Sequence, residues 1–189
     1  MNILVFDNYD SFTYNLVHLV EKIINGKVTV VRNDEIPLEK VNDYDKIILS
    51  PGPGIPEEAG LLLPLIKEYA PTKSIFGVCL GQQAIGQAFG ASLTNLKEVY
   101  HGVATNINII KEDGRLFKDL PRQIMAGRYH SWVIDESTLP AELTITAKDE
   151  DGFIMALQHN KYDVSGVQFH PESVLTPQGE KILRNWLSL

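Results

Sequence analysis

Short, uninterrupted apolar runs alternate with helically spaced segments through the first half of the chain, and that alternation limits the fold more than any other feature. "NILVFD" (2–7), "KVTVVR" (27–32), "DKIILS" (45–50) and "SIFGVC" (74–79) have the length and content of strands, and the apolar continuity of "NILVFD" marks burial on both faces. Between them, "SFTYNLVHLVEKII" (11–24) puts Phe12, Leu16, Leu19, Val20 and Ile23 on one helical face, with Ser11 or Asp10 placed to cap it. "AGLLLPLIKEYA" (59–70) has helical spacing, with Pro64 expected to shift its start. "GQQAIGQAFG" (81–90) is read as a helix ending at Gly90. Strand–helix alternation of this kind builds a doubly wound α/β fold around a mostly parallel sheet.

The second half reads differently. "GVATNINII" (102–110), "RQIMAGRYH" (122–130), "ELTITAKDE" (142–150), "FIMALQHN" (153–160) and "YDVSGVQFH" (162–170) have strand character with little helix between them. They are expected to add antiparallel strands or a ribbon to the sheet, and "PQGEKILRNWLSL" (177–189) to close the chain as a helix. Nothing in composition divides the chain, so residues 1–189 are read as one domain.

Charge and cysteine content exclude several function classes. Seventeen Lys and Arg against 24 Asp and Glu leave a net charge of −7, with no basic cluster, so neither a nucleic-acid surface nor a polybasic membrane patch is expected. No apolar run approaches the ~20 residues of a membrane span. The first residues lack the basic, then apolar, pattern of a signal peptide, and the single cysteine forms no internal disulfide; the chain reads as cytoplasmic.

That one cysteine sits in "GVCLGQQ", where a strand should turn into a helix. A lone intracellular cysteine is ordinarily a small buried hydrophobe. Here Gly77 and Gly81 supply the small neighbours of a strand–nucleophile–helix turn, and the helix N-terminus beyond it favours negative charge on Cys79. A thiolate nucleophile needs a base and the base an orienting group. Of the five histidines, His170 in "GVQFHPES" ends an apolar strand with Glu172 two residues on, which strand alternation would put on the same face; a surface His–Glu pair is the plainer alternative. His18 reads as surface or core, and His159 as a turn residue. A third element, "SPGPG" (50–54), is either an ordinary turn or a source of backbone N–H donors for an oxyanion. In open α/β sheets ligands bind beyond the carboxyl ends of the strands, where "DNYDSF", "SPGPG" and "CLGQQ" all fall.

In combination, "SPGPG", "GVCLGQQ" and "GVQFHPE", in this order, resemble the class I (triad-type) glutamine amidotransferases, whose domain is flavodoxin-like. "FDNYDSFTYNL" and "GRYHSWV" make the chain similar to the amidotransferase subunits of anthranilate synthase and aminodeoxychorismate synthase. The resemblance runs from Met1 to the final helix. It implies that Cys79 attacks the side-chain amide of glutamine, that His170 carries the proton and Glu172 orients it, and that a glutamyl thioester is hydrolysed to glutamate. It implies an oxyanion hole from the N–H groups of Leu80 and Gly54, and substrate contacts from Gly52, Pro53, Gly54, Gln83, Ser131 and Trp132. Plain packing is the alternative for Trp132.

The resemblance also implies a large chorismate-binding partner subunit that holds the magnesium, to which ammonia is delivered for anthranilate synthesis. Aminodeoxychorismate synthesis is the alternative pathway. No cofactor and no metal site are expected in this chain. "DNYDSF" and "YHSW" are candidates for the docking face. Two positions depart from the family pattern: Gln82 stands where close relatives carry histidine in "CLGHQ", and Val103 where lysine often follows "HG". The rival readings are a flavodoxin-like cysteine hydrolase of other specificity and a non-catalytic scaffold.

Overall fold

Residues 1–111 and 114–188 are described by a computed structural model; Leu189, the last residue of the expected closing helix, lies outside them. Alternation inside the buried strands decides the layering. In β1 (Ile3–Asp7), Ile3 and Val5 face one core while Leu4 and Phe6 face the other. In β3 (Lys46–Leu49), Ile48 belongs to the first core and Ile47 and Leu49 to the second. A strand apolar on both faces must be covered on both. Helices α1 (Thr13–Ile24) and α4 (Gly179–Leu187) cover one face through Leu16, Val17, Val20, Ile182, Leu183 and Trp186. Helices α2 (Leu62–Tyr69) and α3 (Leu80–Ala88) cover the other through Leu62, Leu65, Ile66, Ala84 and Ile85.

The first and third strands join β2 (Thr29–Arg32), β4 (Ser74–Val78) and β11 (Val164–Val167) in a parallel block ordered β2-β1-β3-β4-β11. The strand order reverses between β1 and β3. Beyond β11 the sheet continues antiparallel through β10 (Ile154–His159), β9 (Leu143–Asp149), β6 (Val103–Ile109) and β7 (Gln123–Arg128). This nine-stranded α/β sheet has the expected class, with antiparallel strands extending it; the 162–170 run, expected among those additions, instead joins β4 in parallel as β11.

Some local expectations need correction, and those for Pro64 and His159 hold. A separate two-stranded ribbon of β5 (Leu93–Asn95) and β8 (Trp132–Ile134) was not legible, because three-residue strands carry no periodicity. Neither Ser11 nor Asp10 is the cap of α1: Phe12 holds that position, and the Asp10 carboxylate instead accepts the Phe12 N–H at 2.8 Å. Pro64 falls in the first turn of α2, where its missing N–H has no partner to lose. His159 ends β10 as a turn residue, its Nδ1 accepting the N–H groups of Lys161 and Tyr162.

Candidate active site

At the carboxyl end of β4, Cys79 adopts φ 53° and ψ −103°, a backbone region that L-residues rarely enter. The neighbouring strand holds it there: the Cys79 N–H donates to Val167 O at 2.8 Å, and α3 starts at the next residue. The flanking glycines are required by contact. A Cβ at position 77 would lie 2.5 Å from the Gly81 carbonyl carbon, and one at position 81 would lie 2.5 Å from Leu49 O. The first turn of α3 therefore rests directly on the backbones of β4 and β3, and Cys79 is the residue lifted between them. Its side chain is buried.

His170 and Glu172 meet, but not by strand alternation. β11 stops at Val167, and the pair lies in the turn after it, where Ser173 N–H and Thr176 Oγ1 both donate to His170 O. His170 Nδ1 lies 2.7 Å from Glu172 Oε1, with side chains 3 % and 0 % exposed, so this is not a surface pair. His170 Nε2 has no hydrogen-bond partner among the described residues. Burial is the largest influence on His170 and opposes its charge. The Cys79 side chain and then Glu172 favour the imidazolium and outweigh burial, so the pKa is pushed up to about 10. Phe12 and Tyr129 pack edge-on around the ring, with centroids at 6.0 and 4.8 Å.

Cys79 opens onto a cavity of about 250 Å³. Gly52, Pro53, Gly54, Gln83, Ser131 and Trp132 all line it, so the expected substrate contacts come together. The "SPGPG" loop is fixed from beneath: Asn8 donates from its N–H to Ser50 Oγ and from Nδ2 to Ser50 O, both at 2.8 Å, and Asn33 Nδ2 donates to Asn8 Oδ1 at 3.2 Å. Gly54 has φ +71°. Neither the Gly54 nor the Leu80 N–H donates to another group among the described residues, which leaves both available to a ligand oxygen.

The cavity lining also holds residues that were not named as site residues. Tyr100, His101, Tyr129 and His130 are among them. His130 is anchored by a buried ion pair, Arg128 Nη1 to Asp149 Oδ2 at 2.7 Å, with both side chains at most 2 % exposed. Arg128 Nε donates to His130 Nε2 at 3.1 Å, so His130 carries its proton on Nδ1 and donates it to Trp132 O at 3.0 Å. Burial, then the Arg128 charge, drives the His130 pKa down to about 3. Tyr100 stacks on both, 3.6 Å above the Arg128 guanidinium and 5.3 Å from the His130 ring. Gln83 Nε2 donates to the same Trp132 carbonyl at 2.9 Å.

Residues 4–188 match the family model of glutamine amidotransferase class-I. The chain belongs to this family. The amidotransferase is 43 % identical over 188 residues to the aminodeoxychorismate/anthranilate synthase component 2 of Bacillus subtilis, covering 98 % of this chain and 95 % of that one. It is 45 % identical over 190 residues to the anthranilate synthase component 2 of Cyanophora paradoxa, covering 98 % of each. In the bifunctional protein TrpGD of Thermotoga maritima, which is 43 % identical, it spans 99 % of its own length but only 32 % of that protein. A solved structure from Thermoplasma acidophilum, described as a GMP synthase subunit, superposes with a TM-score of 0.87 at 27 % identity, over 98 % of this chain and 92 % of that one.

The amidotransferase motifs held Arg128, Tyr129 and His130 in "GRYHSWV", yet nothing in the sequence pairs Arg128 with an aspartate 21 residues away. Gln168, inside "GVQFHPE", carries no mark of its own either. No helix among the described residues is long and apolar enough to cross a membrane.

Proposed function

We propose that this chain is a glutaminase subunit that hydrolyses glutamine to glutamate and delivers ammonia to a chorismate-binding synthase subunit for anthranilate synthesis. The observation that carries the chemistry is the strained Cys79 elbow opening, together with Gln83, onto the cavity beside the buried His170–Glu172 pair. The names carried by the Cyanophora paradoxa and Bacillus subtilis relatives support the pathway.

Cys79 gives its thiol proton to His170 Nε2, and its sulfur adds to the side-chain carbonyl carbon of glutamine. The oxygen gains charge and takes hydrogen bonds from the Leu80 and Gly54 N–H groups, donors already oriented before reaction. His170, kept charged by its neighbours, gives its proton to the departing nitrogen, and ammonia leaves. Glu172 holds the ring through Nδ1, so Nε2 is the nitrogen that exchanges protons. The neutral imidazole then takes a proton from water, the water attacks the thioester carbonyl, and glutamate and the thiol are released. Both Gln83 N–H bonds are engaged inside the protein, which leaves Oε1 to accept from the substrate.

The Bacillus subtilis relative carries both synthase names, and this favours aminodeoxychorismate synthesis as the second reading. Glutamate release from glutamine, measured for the chain alone and with chorismate plus the large component of an anthranilate synthase, tests the proposal. Strong activation with matching anthranilate is expected. Glutaminase activity that responds only to the aminodeoxychorismate partner would transfer the pathway to the second reading, and no glutaminase activity with either would overturn the assignment.

A further inference from the structure

The carboxamide of Gln168 lies between two residues the mechanism uses. It is fully buried just beyond β11. Its Nε2 is 3.5 Å from Cys79 Sγ, and its Oε1 is 3.2 Å from Gln83 Nε2. The surrounding hydrogen bonds decide which end of this amide faces the sulfur. Gln83 Nε2 is 2.9 Å from the Trp132 carbonyl oxygen, which can only accept, so the Gln83 nitrogen is the donor. Its second hydrogen needs another acceptor, and that is Gln168 Oε1. The nitrogen of Gln168 is then the end turned to Cys79. The rest of the network agrees: the Trp132 carbonyl also accepts from His130 Nδ1, and His130 Nε2 accepts from Arg128, a group that keeps its protons.

We propose that Gln168 is a positioning residue of the amidotransferase reaction, its Nε2–H donating to Cys79 Sγ and holding the sulfur in register with a substrate bound at Gln83. A neutral thiol is a weak acceptor, and a donor aimed at sulfur binds the thiolate more strongly than the thiol. The contact therefore favours the attacking form and fixes its direction. Because Gln168 also grips Gln83, the nucleophile and the substrate contact move as one unit. The inference rests on the nucleophilic reading of Cys79, but its test does not need glutamine.

The test is the pH dependence of iodoacetamide alkylation of Cys79, read by mass spectrometry, in wild type and in Gln168→Met, which keeps volume and loses the donor. The alkylation midpoint is expected to rise by about one pH unit or more, and glutamine-dependent kcat with the synthase partner to fall roughly 10- to 100-fold with KM changed less. A folded variant whose alkylation profile overlays wild type would overturn the proposal, whatever its activity. If Gln168→Met does not fold, the wild-type protein supplies the reading. Its Gln168 side-chain amide resonances are expected to move as Cys79 ionises and to stay still in Cys79→Ser. Resonances that ignore Cys79 ionisation would overturn the proposal equally.

Discussion

The wall of the cavity that carries Cys79 comes from the parallel half of the sheet, and the wall that carries Ser131 and Trp132 comes from beyond the antiparallel edge. The first is set by backbone: a positive φ at Cys79, and glycines at 77 and 81 where α3 touches β4 and β3. The second is set by buried charge: Asp149 holds Arg128, Arg128 fixes the tautomer of His130, and His130 holds the Trp132 carbonyl. A buried histidine belongs to each side, His170 behind Cys79 and His130 in the lining itself, and the two are driven in opposite directions. His170 gains a carboxylate and the Cys79 side chain and stays charged; His130 faces a guanidinium and stays neutral. One side holds a charged imidazole, and the other holds a fixed dipole.

The largest effect should come from the backbone-built wall. Cys79→Ser is expected to lower glutamine-dependent synthesis by the assembled synthase on the order of 10⁴-fold or more while leaving ammonia-dependent synthesis intact. Steady-state assays with the two nitrogen donors separate these outcomes, and loss of both would trace the defect to assembly. On the charge-built wall the expected loss is in stability. Arg128→Met leaves Asp149 buried without its cation, at a cost of about 3–5 kcal/mol in chemical denaturation. Adding Asp149→Leu should recover only part of it, because the Asp149 carboxylate also accepts the Asp151 and Phe153 N–H groups. Full recovery would mean that the ion pair, not the turn, accounts for the whole cost.

The same division explains what could be read in advance. Backbone requirements leave a local mark: glycines around a cysteine, a proline in a first turn, four apolar runs separated by helical spacing. From these the first four strands of the parallel block, the helices that follow them and the Cys79 elbow were legible, whereas β11 was expected among the antiparallel additions. Charge networks leave no local mark. Arg128 and Asp149 come from β7 and β9, with β6 lying between them in the sheet, so their partnership depends on strand order. The His170–Glu172 contact was expected for an incorrect reason, since a turn rather than a strand creates it. The β5–β8 ribbon is too short for any period to register.

The two histidines also predict stability changes of opposite sign with pH. His170 is raised from about 6.5 to about 10, so its contribution is complete below about pH 6.5 and is lost as pH climbs toward 10. His130 is lowered to about 3, so folding favours its neutral form, and that contribution is lost as pH falls from about 6.5 toward 3. Thermal unfolding across pH should therefore show His170→Gln losing alkaline sensitivity and His130→Gln losing acid sensitivity, each relative to wild type. The same pH response in both variants would mean that the two walls do not differ electrostatically.

The smallest effect concerns Gln82, the family departure at the junction of the two halves. It sits in α3, fully buried against β11, with Gln82 Cβ 3.0 Å from the position a Cβ on Gly166 would take. Neither its Nε2 nor its Oε1 has a hydrogen-bond partner among the described residues. An amide buried this way gives up its water bonds and gains none, whereas an apolar chain of the same shape gives up nothing. Gln82→Met is therefore expected to stabilise the protein by about 1 kcal/mol, seen as a higher denaturant midpoint at unchanged slope. Glutaminase activity should hold, because the neighbouring Gln83 and Gln168 contacts do not pass through residue 82. A loss of stability instead would mean that the Gln82 amide is bound by a buried water, and that the junction of the two halves is polar by construction.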